Sequence, residues 1–386
     1  MQAKVPLLSS HLRWSAALVL AASIVGCANE PPPVPPASLK ATSAEISPLR
    51  VWRSNVGEAG RGRFEPLVTG DQVIAANRRG KITSFSADNG MRRWTSELKV
   101  RLTSGISGDD GQIYVGDIDG VLHALDDQSG EPLWTAPGSS EILVPASAGF
   151  GALIVRSTDG RVVSLDPESG EVLWTVSNTP PALTLNGYSR PLVLESGVLL
   201  GLDDGRLLAL DVNNGKPFWE SVISVPSGRS EIERLVDIDA DIVVDDDGIY
   251  LANYQGKAAR LEPAQGQIVW SVPMSAGSGI AVRNQDLVVI DDQDGIHKLD
   301  KGSGQIIWSN EDMPGRRLSP PAFTRAGDIV VGDTEGYIHV ISIDTGAIIG
   351  RARLSDEAII ARPVSTEDAV FVQTTDGVVG AYRFAR

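Results

Sequence analysis

Cysteine is almost missing from this chain: Cys27 is the single thiol in 386 residues. One cysteine excludes an intramolecular disulfide, a cysteine-rich zinc site and an iron–sulfur cluster held by this chain alone. Basic residues are also short, 34 Lys and Arg against 49 Asp and Glu, for a net charge of −15. A nucleic acid is therefore a poor partner, because phosphate neutralisation needs Lys and Arg. The apolar run at 14–25 (WSAALVLAASIV) stops well short of the roughly 20 residues that span a bilayer. No stretch is long enough to supply crossover helices between strands, which removes a parallel α/β sheet. Also missing are a G-x-S-x-G elbow, a phosphate-cradling loop and an H-E-x-x-H helix. What the chain does have is turn chemistry, 40 Gly and 23 Pro, alongside an ordinary 42% of hydrophobic residues. That composition suits many short strands.

The N-terminus reads as an address. Lys4 and Arg13 flank a positively charged start, the apolar run follows, and small residues precede Cys27. This is the order of a secretory signal peptide. Ile24-Val25-Gly26-Cys27 resembles the bacterial lipobox. The resemblance implies cleavage before Cys27, a diacylglycerol on its sulfur and an acyl group on its new amine. Two or three acyl chains anchor stably where one does not. Ala28 in place of Asp implies the outer membrane, with the protein facing the periplasm. The expected organisation is a lipoprotein signal peptide at 1–26, a lipidated cysteine with a Pro-rich tether at 27–47, and one domain at 48–386. PPPVPP at 31–36 supplies the spacer.

From residue 48 onward the chain repeats itself. A turn glycine recurs at Gly80, Gly120, Gly160, Gly205, Gly256, Gly295, Gly336 and Gly377, and a closing tryptophan at Trp94, Trp134, Trp174, Trp219, Trp270 and Trp308. Gly350 stands in the seventh tryptophan position, and an orphan Trp52 sits at the start of the domain. Within one copy, ALIVRST is a β-rich run, Asp159-Gly160 a hairpin signal, RVVSLD a strand, and EVLWTV the outermost strand. A unit of about 42 residues with four short strands and a fixed aromatic is a propeller blade. The expected fold is all-β, an eight-bladed β-propeller of four-stranded antiparallel blades. Residues 49–54 close the ring by completing the C-terminal blade, which leaves few open sheet edges. The tryptophans then belong to the packing between blades.

The unit from Ala124 to Trp134 resembles the docking motif of the pyrroloquinoline-quinone propeller family. That family implies a periplasmic quinone-dependent dehydrogenase as the alternative function. Its further features are not matched: there is no cysteine pair, and no blade carries insertions large enough to roof a cofactor. His123, His297 and His339 fall on equivalent strands of three different blades, so they cannot converge on one metal and read as packing residues. The runs Asp245–Asp247 and Asp291–Asp294 lie at strand turns and lack the spacing of a calcium loop. No catalytic residue, metal or cofactor is expected.

Departures from the repeat locate the candidate site, because insertions map to loops on one face. Trp to the next turn glycine takes 26 residues in regular copies, 31 from Trp174 to Gly205 and 37 from Trp219 to Gly256. The first insert exposes Leu183 and Leu185 in a turn-rich loop. The second begins with a capping box at Ser230–Glu233, expected to start a helix of one or two turns, and ends in an acidic cluster. Together they suggest a docking patch for a partner with a basic rim. The lipobox, the spacer, the eight blades, LTLNGYSRP at 183–191 and SEIERLVDIDAD at 230–241 together resemble the BamB family. These are lipoprotein propellers of the outer-membrane β-barrel assembly machinery. The resemblance covers roughly residues 20–386. It implies a non-enzymatic scaffold, monomeric as a propeller, that docks on the periplasmic POTRA repeats of a BamA-type barrel subunit. It implies Leu183, Leu185, Asp237 and Asp239 as contacts; a family arginine falls at Asn186, with Arg190 near. Unfolded outer-membrane proteins are a further expected partner, by strand addition to blade edges. A cell-wall polysaccharide-binding propeller is the third reading.

Overall fold

The computed structural model describes residues 34–42, 45–60, 62–185 and 189–385. The signal segment, Cys27 and Asn186 lie outside them.

Each repeat folds from its turns outward. Asp126 shows how: its carboxylate accepts the Gln128 and Ser129 amides at 3.1 and 2.7 Å, and Gly130 turns back at φ 72°. The same device recurs at Asp166, Asp211 and Asp300. Alternating apolar residues leave the two middle strands of each sheet buried, as in Ala152–Arg156 and Arg161–Leu165. Eight four-stranded antiparallel sheets result. We number them as blades in chain order; their innermost strands start at Leu67, Ser107, Ser147, Leu192, Val243, Gly279, Ala322 and Val364. In blades 1–7 the strands run consecutively from inside to outside. Blade 8 takes its outermost strand, Ser47–Asn55, from the start of the domain, paired antiparallel with Val378–Ala385. Ring closure by an N-terminal strand is as the sequence implies, and the strand runs past both ends of the expected 49–54.

The tryptophans join neighbouring blades. Each indole Nε1–H donates to a turn carbonyl of the next blade: Trp52 to Ala87 at 2.7 Å, Trp94 to Asp127 at 3.0 Å, Trp174 to Val212 at 2.7 Å. Trp134, Trp219, Trp270 and Trp308 repeat the bond. The ring lies on the turn glycine beside that carbonyl. A Cβ on Gly130 would come within 2.4 Å of Trp94, so a side chain is excluded there by contact as well as by φ. Seven of the eight junctions are made in this way.

The eighth junction, from blade 7 to blade 8, is built differently. Gly350 stands where the indole would be, and Ile46 fills the space, 3% exposed, against Val340 and Ile349. The Ile46 amide donates to the Ile349 carbonyl at 3.0 Å. Residues 37–42, which composition assigns to a spacer, lie along the outside of blade 7.

The three histidines have one role in three blades. Asp117 caps its turn with Oδ1 and takes the Nε2 of His123 with Oδ2 at 2.8 Å; Asp291 with His297 and Asp333 with His339 repeat it. Among the described residues no cluster of His, Cys, Asp and Glu could hold a metal ion, and no helix is long and apolar enough to cross a membrane.

Candidate functional site

The connector from the outermost strand of a blade to the next blade emerges beside the glycine turn of the middle strands. Backbone bonds such as Leu98 to Gly80, Asn178 to Gly160 and Ile223 to Gly205 hold the two together. Both insertions therefore sit on one face of the ring, between blades 3 and 4 and between blades 4 and 5.

The first insert leaves the outer strand Val172–Ser177 through Pro180 and Pro181. Leu183 is exposed at 42%, whereas Leu185 is half-buried. The second insert follows the outer strand Pro217–Val222. Its capping box forms: the Glu233 amide donates to Ser230 Oγ, and Glu233 Oε2 accepts the Ser230 and Arg229 amides. It nucleates one 3-10 turn, Ile232–Arg234, shorter than expected. The chain then runs extended into the ring, where Leu235, Val236, Ile238 and Ala240 are buried. Gly201 admits Ile238, since a Cβ there would lie 2.5 Å from it.

The acidic residues of this segment do not form a rim. Asp237 is 0% exposed and Asp239 4%. The Asp237 carboxylate accepts the Leu185 amide at 2.6 Å, and thereby lashes the second insert to the first. Its other oxygen is buried without a hydrogen-bond partner. Burial pushes its pKa up to about 6, against the downward pull of the Leu185 bond. Neither carboxylate therefore stands exposed in the described chain. The segment is an inward-running connector buried from Leu235 to Ala240, and sequence alternation alone does not distinguish that from an exposed loop.

Arg190 is engaged inside the molecule as well. Its guanidinium pairs with Glu65 and with Asp241 at 3.3 Å, and Arg362 approaches Asp241 at 3.5 Å. Burial raises the Asp241 pKa, but Arg190, Arg362 and Arg63 outweigh it and hold the carboxyl below its usual value. Glu65 precedes the inner strand of blade 1, Arg190 that of blade 4, Asp241 that of blade 5 and Arg362 that of blade 8. In a ring of eight, blades 1 and 5 are opposite, as are 4 and 8, so these contacts lie on the axis. Sequence reasoning missed this cluster because its members are far apart along the chain and share no motif. It also missed Val225 and Ile232, exposed at 71% and 62% on the second insert. Their signal was present, as apolar residues in an otherwise hydrophilic insertion.

Comparison with known proteins bears on the family and on the fold. The family profile described as outer membrane protein assembly factor BamB matches residues 78–310 and 296–385. The BamB of Pseudomonas aeruginosa is 39% identical over 96% of this chain and 99% of its own length. That of Escherichia coli is 32% identical over 87% and 88%. The crystal structure of BamB from Moraxella catarrhalis superposes with a TM-score of 0.81 at 27% identity, covering 87% of this chain and all of that one. A quinohemoprotein alcohol dehydrogenase from Pseudomonas putida gives 0.71 at 11% identity, a likeness of fold alone. The chain belongs to the BamB family of outer membrane protein assembly factors.

Proposed function

We propose that this chain is a non-enzymatic scaffold of the outer-membrane β-barrel assembly machinery. It is held to the outer membrane through lipid on Cys27, faces the periplasm, and docks on the POTRA repeats of a BamA-type subunit. The observation that carries the docking surface is the bond between Asp237 and the Leu185 amide, which joins two insertions on one face into a single braced loop pair. That pair carries Leu183, Val225 and Ile232 exposed. Exposed apolar side chains on a rigid support suit the central anchors of a protein interface. Asp237 acts behind the surface, by fixing the loops, and Asp239 is likewise buried. The ion pairs of Glu65, Arg190, Asp241 and Arg362 cross the axis at this face and tie four blades together behind the loops.

The test is capture of purified POTRA repeats by the lipoprotein and by its Leu183→Ala, Leu185→Ala double variant. Loss of a central anchor commonly costs about 2 kcal/mol, roughly thirtyfold in affinity. Normal capture by a correctly folded double variant rejects this surface. Turnover on alcohols after reconstitution with a quinone would reject the non-enzymatic reading.

A further inference from the structure

The strand that closes the ring begins at Ser47, opposite Ala385. Val378–Ala385 starts just after the turn at Gly377, on the insert-bearing face, and runs to the opposite face. A chain that left the propeller at Ser47 would therefore leave from the face opposite the inserts. It does not. Ile46 pairs with Ile349 near the start of blade 7's outer strand, Ile348–Arg353. The Lys40 carbonyl then accepts from Arg351 at 2.9 Å, higher on the same strand, and Lys40 itself pairs with Asp312. Ala37 reaches the connector between blades 6 and 7: its amide donates to the Pro314 carbonyl at 3.0 Å, and its carbonyl accepts from Arg316 at 2.7 Å. That connector is on the insert-bearing face.

The holding groups are built in. Arg316 is 1% exposed and also binds Asp333 at 2.7 Å and Glu335 at 2.6 Å. Arg351 donates to His339 Nδ1 at 3.1 Å, while His339 Nε2 meets Asp333 at 2.7 Å. Two main-chain carbonyls of the N-terminal segment are thus gripped by arginines fixed from beneath through one buried Asp–His pair. Gly350 leaves room for it: a Cβ there would lie 2.8 Å from the Ile46 carbonyl oxygen.

We infer that the described residues 37–42, 45 and 46 form an orienting strap. It carries the point at which the chain leaves the propeller from the far face to the insert-bearing face, through the contacts of Ile46, Lys40 and Ala37. Given the lipid anchor proposed above, on which this part rests, the bilayer then holds the propeller with its insert-bearing face toward the lipid surface. The docking loops and the membrane attachment share one side.

The experiment uses the full-length lipidated protein in vesicles of phosphatidylethanolamine and phosphatidylglycerol that contain an acceptor-labelled lipid. A donor dye is placed through Ser139→Cys, on the insert-bearing face, or through Glu168→Cys, in the turn on the opposite face. Transfer is expected to be clearly higher from position 139, since a strand's length of about 17–20 Å separates the faces. Combining Ile46→Gly with Arg351→Gln should erase that contrast while the protein remains bound. In the parent, amide exchange at Ala37 and Ile46 should be slowed at least about tenfold relative to the double variant. Equal or inverted transfer in the parent overturns the orientation, and unprotected amides overturn the strap. Protected amides in a protein that fails to bind vesicles reject the lipid anchor and leave the departure point standing. A double variant that unfolds is replaced by Arg351→Gln alone, read by the same exchange at Ala37.

Discussion

Seven junctions of the ring and the eighth do the same job with different chemistry. At the seven, an indole buries against a turn glycine of the next blade and spends its N–H on a turn carbonyl. At the eighth, an aliphatic side chain arrives from outside the repeat, and its backbone makes the hydrogen bond. The aromatic solution is local to the repeat and can be copied. The aliphatic one frees the surface of blade 7 for a segment to pass. A gap in a repeat can therefore mark a place where another part of the chain is seated.

The largest test of this contrast is Trp174→Ala. Its indole is 8% exposed, and removal of a buried aromatic costs about 3–5 kcal/mol. Denaturant unfolding should show that loss; a change below about 1 kcal/mol would mean the indoles are ornament on a ring held by its sheets. Ile46→Ala should come next, about 2–4 kcal/mol if the eighth junction depends on this side chain. An unchanged midpoint there would show that blades 7 and 8 are joined by other contacts.

The inserts give smaller effects with opposite signs. Asp237 has a pKa raised by burial to about 6, so the folded state binds its proton more tightly than the unfolded chain does. Stability from this group is greatest below about pH 4 and falls as pH rises through 6. Asp237→Asn keeps an oxygen for the Leu185 amide and removes the buried charge. It should stabilise the protein by on the order of 1–2 kcal/mol at pH 7.5 and flatten the melting temperature between pH 4 and 6. Destabilisation at pH 7.5 would show that the carboxylate is held for its charge. Leu183→Ala is the smallest: an exposed side chain should cost under about 0.5 kcal/mol in stability, and a greater loss would assign it to the core.

The ring was legible because its signals are short-range and repeated. Asp126-Asp127-Gln128-Ser129-Gly130 specifies a turn within five residues, and the spacing of Gly120, Leu125 and Trp134 recurs down the chain. Trp52 at the domain start was enough to place the closing strand. The site was legible only as the position of the inserts. Leu183 emerges exposed, but whether Asp237 faces water or the ring depends on Gly201 and Leu185, contacts that no local pattern encodes. The axial pairing of Arg190 with Glu65 spans blades on different sides of the ring and leaves no periodic trace. The absence of tryptophan at Gly350 was visible; that Ile46 takes its place was not.

The split eighth blade also sets an order of events. Ser47–Asn55 is the first strand of the domain to be made, and its partner Val378–Ala385 is the last. Loop closure across nearly the whole chain is the slowest kind of contact to form. Until the C-terminus arrives, Trp52 has a glycine to lie on in blade 1 but no sheet behind it. Blades 1 to 7 can assemble by nearest-neighbour docking, whereas the strap must wait for blade 7. A C-terminal truncation, or a stall in synthesis before residue 378, would leave an open ring with an unpaired strand at one end and an apolar edge at the other. Those two edges match each other, and in a crowded compartment the nearest match is a second incomplete copy.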